Sequence, residues 1–298
     1  MHADEVHTDA ALVRSLLAAQ FPQWAQLPIA PVPSSGTDNA LYRLGDDMVV
    51  RLPRIHWSVE QVAKEQRWLP HLAPRLPLAV PLPLALGEAA FDYPWQWSVY
   101  RWLDGDALAP ARILDIERAA IDLANFVRAL HRIDAIGGPL PGAHNSNRGE
   151  PLAARDAGTR QAIAALHSDI DTAAATSAWE AALHAPPWDR APVWVHGDLA
   201  ATNLLARDGR LSAVIDFGCL GVGDPAVDMM IAWEFLAPVR ASFRAALAAD
   251  DATWARGRGW ALTTALVALP YYRDTNPVLV ASARQRLDAV LADHARLR

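Results

Sequence analysis

Three polar residues with short, defined spacings carry the side chains that phosphoryl transfer requires. Asp198 lies in the segment His196-Gly197-Asp198, Asn203 follows five residues later, and Asp216 comes thirteen residues after Asn203. Phosphoryl transfer needs an acceptor for the proton of the attacking hydroxyl and oxygen ligands that hold Mg²⁺ on the phosphates. Two carboxylates and one amide meet both needs if the fold brings them together.

A β-hairpin is predicted between Asn203 and Asp216. The stretch 193–218 contains two short strands around Asp208-Gly209, a dipeptide typical of tight hairpin turns. A hairpin returns the chain to its starting point, so we expect Asp216 to lie alongside the segment 198–203. Asp and Asn beside glycine are also common in ordinary turns. The prediction therefore depends on the three spacings in combination.

These residues resemble the catalytic and magnesium loops of kinases, H-x-D-x-x-x-x-N followed by D-F-G. More narrowly, HGDLAATNLL, VIDFG and GVGDPAVDM are similar to the aminoglycoside phosphotransferase family, which includes macrolide phosphotransferases. PSSGTDNALYRLG and MVVRLPR match the family in kind and order, so the resemblance covers most of the chain. It implies an α+β, two-lobed, protein-kinase-like fold with a sheet-rich N-lobe, a mainly helical C-lobe and the active site in the cleft.

The resemblance also assigns roles to the polar residues of this region. It implies that Asp198 is the catalytic base or hydroxyl-orienting group and that Asn203 and Asp216 are the Mg²⁺ ligands. We expect His196 to brace the loop by hydrogen bonding rather than to transfer protons. Asp224 and Asp228 are predicted to anchor the catalytic segment by capping or by accepting backbone hydrogen bonds, with a direct substrate role as the alternative.

The nucleotide, ATP or GTP, is expected to bind through residues of the N-terminal part. Ser35, Gly36 and Thr37 precede the first predicted strand, where backbone amides and short hydroxyls can bind phosphate oxygens. The resemblance implies that the segment Tyr100 to Leu103, which includes Trp102, is the hinge, whose backbone groups hydrogen-bond the purine.

Arg51 occupies the position where kinases place a lysine that contacts ATP. Lys64 is the only lysine of the chain, so an arginine replacement here follows the general bias of the sequence. A guanidinium is a flat fork rather than a compact ammonium, which changes the expected geometry. The resemblance implies that Glu65 holds this cation in place, and the alternative is a solvated helix charge that pairs with Lys64 or Arg67.

A small molecule is the expected acceptor, because only a few residues separate Gly218 from Gly223. Protein kinases place a long activation segment and an A-P-E motif after D-F-G, and this chain has no room for that platform. Acids and arginines are mixed between residues 145 and 190, so no decisive acidic field indicates a polycationic acceptor. The choice between an aminoglycoside and a macrolide acceptor stays open.

The pattern of apolar residues predicts a sheet-rich lobe over residues 1–104 and a helix-rich lobe over 105–298. Strands are predicted at about 40–44, 48–52 and 95–101, with short edge strands within 76–86. Helices are predicted at about 8–24 with a possible Thr8 cap, 58–72, 116–130 running to Gly137-Gly138, 159–183, 241–249, 254–269 and 277–297.

Composition excludes several other classes of protein. A chain of 298 residues with 52% hydrophobic residues can bury a sizeable core, and its net charge of −6 predicts no general attraction to nucleic acid or anionic membranes. Cys219 is the only cysteine, which excludes internal disulfides and thiolate zinc sites. No apolar run reaches the roughly eighteen residues of a membrane span, so we expect a cytoplasmic protein. Oligomeric state stays open.

The main functional hypothesis is transfer of the γ-phosphoryl group of ATP or GTP, with Mg²⁺, to a hydroxyl of an antibiotic. One alternative is a kinase of an ordinary metabolite such as a choline-like amine or a sugar. Another is a nucleotide-binding pseudokinase that acts as an interaction module. Asp198, Asn203 and Asp216 argue against the pseudokinase, whereas Arg51 leaves it open.

Overall fold

The computed structural model describes residues 5–33, 38–108 and 113–297 and is a mixed α+β protein. Its N-terminal part is rich in sheet and its C-terminal part is mainly helical, as the sequence predicts. The chain divides into two compact units, Met1–Gly105 with Ser212–Gly218, and Asp106–Leu211 with Cys219–Arg298. The division predicted from the sequence placed residues 212–218 in the second lobe, whereas the structure assigns this segment to the first unit.

An antiparallel sheet forms the centre of the N-terminal unit. Its strands lie in the order β1-β2-β3-β5-β4 and are β1 Ile29–Pro31, β2 Asn39–Leu44, β3 Met48–Pro53, β4 Pro83–Gly87 and β5 Trp97–Arg101. Strand β4, which begins with Pro83, lies at the sheet edge, where a missing backbone donor is tolerated. Arg51 lies on the central strand β3, opposite Leu41 of β2 and Ser98 of β5.

Two helices accompany this sheet, α1 Ala10–Gln20 and α2 Val59–Leu72. The prediction of a Thr8 cap for α1 is wrong, because the Asp9 carboxylate accepts the hydrogen bond from Leu12 N at 2.7 Å. Asp9 has an extended backbone and lies one residue before the helix, which is the geometry of an N-cap. The Thr8 hydroxyl instead accepts a hydrogen bond from Tyr42.

Backbone hydrogen bonds join the segment 212–218 to the N-terminal unit. Ala79 donates to Ser212 O at 3.2 Å and accepts from Val214 N at 2.9 Å, which makes a parallel bridge. The buried Lys64 of α2 donates to Gly218 O at 2.7 Å. Asp216 is therefore fixed to the same unit as Arg51.

Helices form most of the C-terminal unit. Those in its described part are α3 Ile116–Arg132, α4 Asp156–Ala165, α5 Thr172–Leu183, α6 Arg240–Leu247, α7 Asp251–Tyr272 and α8 Pro277–Ala295. The predicted single helix over 159–183 is wrong, since Asp171 caps a separate helix by accepting from Ala174 N. Alanine on both sides hides this break in the apolar pattern. Helix α3 also ends at Arg132, before Gly137-Gly138.

Short strands carry the polar segments of the C-terminal unit. They are β6 Asp106–Ala107, β7 Val193–Val195, β8 Leu204–Arg207 and β10 Gly221–Gly223. Strand β9, Arg210–Val214, begins in this unit and ends in the N-terminal unit. The turn Asp208-Gly209 joins β8 and β9, and both residues have positive φ, so the predicted hairpin is confirmed. Strand β10 pairs antiparallel with β7. None of the helices in the described ranges has the length and apolar character required to cross a bilayer.

Candidate active site

The segment His196-Gly197-Asp198 leaves the end of β7 in a tight loop. Gly197 has φ +80°, and a Cβ there would lie 2.6 Å from Cys219 O, so only glycine fits. The backbone N–H groups of His196 and Gly197 donate to the Asp228 carboxylate at 3.1 and 2.8 Å. This loop therefore has its conformation fixed by one buried acid.

Asp228 belongs to a 3-10 helix, Pro225–Trp233, that follows β10, and Asp224 is the residue just before this helix. The fully buried Asp228 also lies 3.2 Å from His131 Nε2 of α3. Asp224 caps the 3-10 helix through Ala226 N and makes a buried ion pair with Arg256 at 2.7 Å. A buried charge requires such partners, because desolvation is costly. Both acids thus bind other groups of the protein: Asp228 binds the His196-Gly197 backbone and His131, and Asp224 binds Arg256.

Asn203 lies beside Asp198 and holds it with two hydrogen bonds. Its Nδ2 donates to the backbone oxygen of Asp198 at 2.9 Å and to Asp198 Oδ2 at 3.2 Å. The amide nitrogen is therefore committed, and Oδ1 remains as the atom that can bind a cation. The Asp198 side chain is 41% exposed, and its backbone N–H donates to Nδ1 of the buried His196.

In the N-terminal unit, Arg51 and Glu65 form a tight ion pair. Arg51 NH1 lies 2.6 and 2.5 Å from the two carboxylate oxygens of Glu65, and the Tyr100 hydroxyl donates to Glu65 Oε2. The other Arg51 nitrogen, NH2, lies 3.3 Å from both Gln61 Oε1 and Asp216 Oδ1. One guanidinium fork thus connects α2 to the segment of Asp216.

The charges of this cluster fix the protonation of Arg51 and Tyr100. Burial opposes the charge of Arg51, but Glu65 and Asp216 more than offset burial and raise the pKa of the guanidinium above its usual range. Burial, reinforced by Glu65, raises the pKa of the Tyr100 phenol well above its ordinary value. Arg51 is therefore a permanent cation, and Tyr100 remains a donor to Glu65.

Two further residues, Asn39 and Gln61, hold Arg51 and were not predicted from the sequence. Asn39 accepts from Arg51 Nε at 3.2 Å and NH2 at 2.9 Å once its amide oxygen faces the guanidinium, and Gln61 contacts NH2. The spacing of each residue from a predicted site residue could have indicated this contact. Gln61 is four residues before Glu65 on one helix face, and Asn39 is diagonal to Arg51 across the β2–β3 pair.

The other residues predicted to bind the nucleotide are only partly placed. Ser35, Gly36 and Thr37 lie outside the described residues. The Tyr100 side chain is buried against Glu65, so it faces the Arg51 cluster. The backbone N–H of Trp102 donates to Asp47 O at 2.7 Å, so this donor already has a partner within the protein.

Asp216 and Asn203 carry the side-chain oxygens predicted as Mg²⁺ ligands. In the N-terminal unit, Asp216 has φ +60° and a carboxylate that is 48% exposed. In the C-terminal unit, Asn203 keeps Oδ1, because its amide nitrogen binds Asp198. Mg²⁺ usually takes one or two protein oxygens together with substrate phosphates and water, and each of these oxygens is of a suitable kind. The described residues contain no group of three or more His, Cys, Asp or Glu side chains arranged to hold a metal by themselves.

Similarity to known proteins covers most of the chain. The model of the phosphotransferase enzyme family matches residues 29–260. No curated protein has a sequence that matches this one. Among solved structures, the chain is similar to the GDP complex of wild-type aminoglycoside 2'-phosphotransferase-IIIa, with a TM-score of 0.75 and 19% identity over 96% of this chain and 99% of that chain.

Macrolide phosphotransferases have the same fold. Macrolide 2'-phosphotransferase type I matches with a TM-score of 0.63 and 21% identity, over 95% of this chain and 98% of that one. Macrolide 2'-phosphotransferase MphH from Brachybacterium faecium, in its apoenzyme form, matches with a TM-score of 0.57 and 25% identity, over 92% and 98%. The fold is therefore kinase-like, as the sequence predicts.

Proposed function

This chain belongs to the phosphotransferase enzyme family. From that premise we propose that it transfers the γ-phosphoryl group of ATP or GTP to a hydroxyl of an antibiotic. A macrolide is the preferred acceptor in this proposal, and an aminoglycoside is the second candidate. The observation that carries the proposal is the fixed carboxylate of Asp198. Asn203 holds Oδ2 and the backbone of Asp198 together, while the side chain remains 41% exposed and able to meet a substrate.

Asp198 accepts the hydrogen bond of the acceptor hydroxyl. The hydroxyl oxygen forms the new bond to the γ-phosphorus, the bond from that phosphorus to the β–γ bridging oxygen breaks, and the electron pair leaves with the nucleoside diphosphate. The hydroxyl proton passes to Asp198 and then to solvent. A positioned general base of this kind contributes about 10²- to 10⁴-fold to the rate.

Arg51 supplies the positive charge for the nucleotide phosphates. Glu65 orients the guanidinium and Tyr100 orients Glu65, so the cation is held before a nucleotide binds. Asn203 and Asp216 are the residues proposed to hold Mg²⁺. When bound, the metal neutralises charge on the phosphates.

Local charge favours a macrolide over a polycationic aminoglycoside as acceptor. Arg148 lies 3.5 Å from Asp198 and balances its charge. This ion pair therefore gives a polycation little net attraction at Asp198. Macrolides carry fewer positive charges than aminoglycosides.

A screen of nucleoside diphosphate release tests the proposal. ATP and GTP are each supplied with Mg²⁺ and a panel of macrolides, aminoglycosides and common hydroxylated metabolites. We expect release that depends on a macrolide, and cells that express the protein should become resistant to that macrolide. Release with metabolites alone would identify a metabolite kinase and contradict the antibiotic assignment. Nucleotide binding without release with any acceptor would favour the pseudokinase.

A further inference from the structure

The loop that carries Arg148, Asn145–Gly149 in the C-terminal unit, has a strained backbone. Ser146 and Asn147 are consecutive non-glycine residues with φ of 54° and 56°, and Gly149 follows with φ 85°. L-residues adopt this left-handed conformation at an energetic cost and rarely in succession. Such strain persists where surrounding structure enforces it, and it is most often found at functional sites.

The loop is anchored by a buried asparagine. Asn145 is fully buried, and its side chain accepts from Gly142 N at 3.0 Å and donates to Arg148 O at 3.1 Å. Arg148 N in turn donates to Asn145 O at 3.1 Å. Asn145 therefore binds both the backbone N–H and the backbone carbonyl of Arg148, which fixes the backbone at this residue.

Two glycines of β10, Gly221 and Gly223, allow the loop to pack closely against this strand. A Cβ on Gly221 would lie 2.5 Å from Asn145 Nδ2, and a Cβ on Gly223 would lie 2.3 Å from Gly149 O. Gly149 O also accepts a hydrogen bond from Asp224 N at 2.8 Å. Because β10 pairs with β7, which leads into the loop of Asp198, the same two strands position the Arg148 loop and Asp198.

The Arg148 side chain extends from this loop to Asp198. Its NH2 lies 3.5 Å from Asp198 Oδ1, NH1 donates to the Met230 sulfur at 3.7 Å, and the guanidinium lies 5.9 Å from the Trp260 ring centre. The side chain is only 15% exposed. Arg148 is thus a largely buried cation that contacts the Asp198 carboxylate. The loop that holds it has a strained backbone.

We propose that Arg148 is a positioning residue that holds Oδ1 of Asp198 while Asn203 holds Oδ2. Each carboxylate oxygen then has its own partner, and the carboxylate keeps one orientation toward the acceptor hydroxyl. This role rests on the proposed function, in which Asp198 receives the hydroxyl proton. Loss of such orientation slows transfer without weakening nucleotide binding, because no nucleotide contact is assigned to Arg148.

The test compares Arg148→Met with Arg155→Met. Arg155 is the matched control, because it lies 5.1 Å from the centre of the same Trp260 ring but pairs with Glu150 instead of Asp198. We expect Arg148→Met to lower kcat by about 10- to 10²-fold, the scale of a small misplacement of a reacting group. The KM for nucleotide should stay within about twofold of wild type, and Arg155→Met should keep most of kcat. Arg148→Lys should recover part of the loss.

A double-mutant cycle with Asp198→Ala separates positioning from other roles. If Arg148 acts through Asp198, Arg148→Met will change kcat by less than about twofold when Asp198 is absent. An equal loss in both backgrounds would overturn the proposal, as would equal kcat values for Arg148→Met and Arg155→Met. Should Arg148→Met fail to fold, Arg148→Lys enters the same cycle, with a smaller loss of kcat expected when Asp198 is present and again less than about twofold when it is absent.

The proposed function and the positioning role fail in different ways in this experiment. A wild type that transfers no phosphoryl group to any acceptor would contradict both the proposed function and the role of Arg148. An active wild type with a strongly impaired Asp198→Ala and an unaffected Arg148→Met would contradict only the role of Arg148.

Discussion

Arg51 stands where kinases use a lysine, and its contacts explain how a guanidinium fits. One nitrogen of the fork pairs with Glu65 and the other lies 3.3 Å from Gln61 and from Asp216. A lysine has a single ammonium and cannot keep this spread of contacts. The side chains around Arg51 are therefore matched to the shape of arginine and not only to its charge.

Arg51→Lys should raise the KM for nucleotide by about 10-fold or more, because a hydrogen bond to a charged group contributes roughly 1.5–3 kcal/mol. Steady-state kinetics with varied nucleotide measure the effect. Arg54→Lys is the control, since Arg54 lies in the same unit and pairs with Glu5. A nucleotide KM for Arg51→Lys equal to that of wild type would contradict the importance of the fork.

At the scale of single residues, the sequence predicted what a motif or a short spacing encodes. The resemblance to kinases implied that Glu65 holds Arg51, and the structure contains this ion pair. Arg148 was missed because it is fifty residues before Asp198 and belongs to no motif. Contacts between distant segments depend on tertiary packing, which a local pattern does not report.

At the scale of elements, β10 and the Arg148 loop depend on glycine, whereas helix α4 does not. A Cβ on Gly223 would meet the backbone oxygen of Gly149 at 2.3 Å, and a Cβ on Gly158 would meet no atom within 4 Å. These two glycines therefore form a matched pair. One is required by close packing, and the other lowers the stability of an exposed helix.

Gly223→Ala should lower the free energy of unfolding by about 1–3 kcal/mol, the usual cost of overpacking a close contact. Gly158→Ala should raise it by up to about 1 kcal/mol, because alanine favours the helix. Denaturant unfolding of both variants measures the two changes. Similar stability for both variants would mean that β10 and the loop are not packed as closely as described.

The elements themselves were predicted where the pattern was strong. The β8–β9 hairpin follows from Asp208-Gly209, and α2 follows from its apolar spacing. The break between α4 and α5 was missed because alanine-rich helical sequence lies on both sides of it. The cap of α1 was misplaced by one residue because Thr8 and Asp9 are both good caps.

At the scale of the whole molecule, the residues with proposed roles are distributed over the two compact units. Asp216 belongs to the N-terminal unit, and Asn203 and Asp198 belong to the C-terminal unit. The sequence division at residue 104 did not anticipate that the chain returns to the first unit at Ser212. A β-bridge between Ala79 and Ala213 joins this segment to the first unit. An isolated bridge produces no recognisable pattern in a sequence, so it could not be predicted.

Asp216→Asn should remove most of the Mg²⁺-dependent thermal stabilisation by nucleotide. A ligand at about 100 times its Kd stabilises a folded protein by roughly 2.7 kcal/mol, and weaker metal binding reduces that gain. Asparagine tolerates the positive φ at this position, so the variant should fold. Asp208→Asn, at an exposed position with positive φ, is the control. Unchanged Mg²⁺ dependence in Asp216→Asn would contradict its role as a ligand.

The most direct test of phosphoryl transfer through Asp198 is the rate at which a macrolide gains one phosphoryl group, followed by mass spectrometry with Mg²⁺ and ATP or GTP. We predict product formation by wild type and a rate about 10²- to 10⁴-fold lower for Asp198→Ala, with the unfolding transition unchanged. An Asp198→Ala variant that phosphorylates the macrolide as fast as wild type would contradict the account.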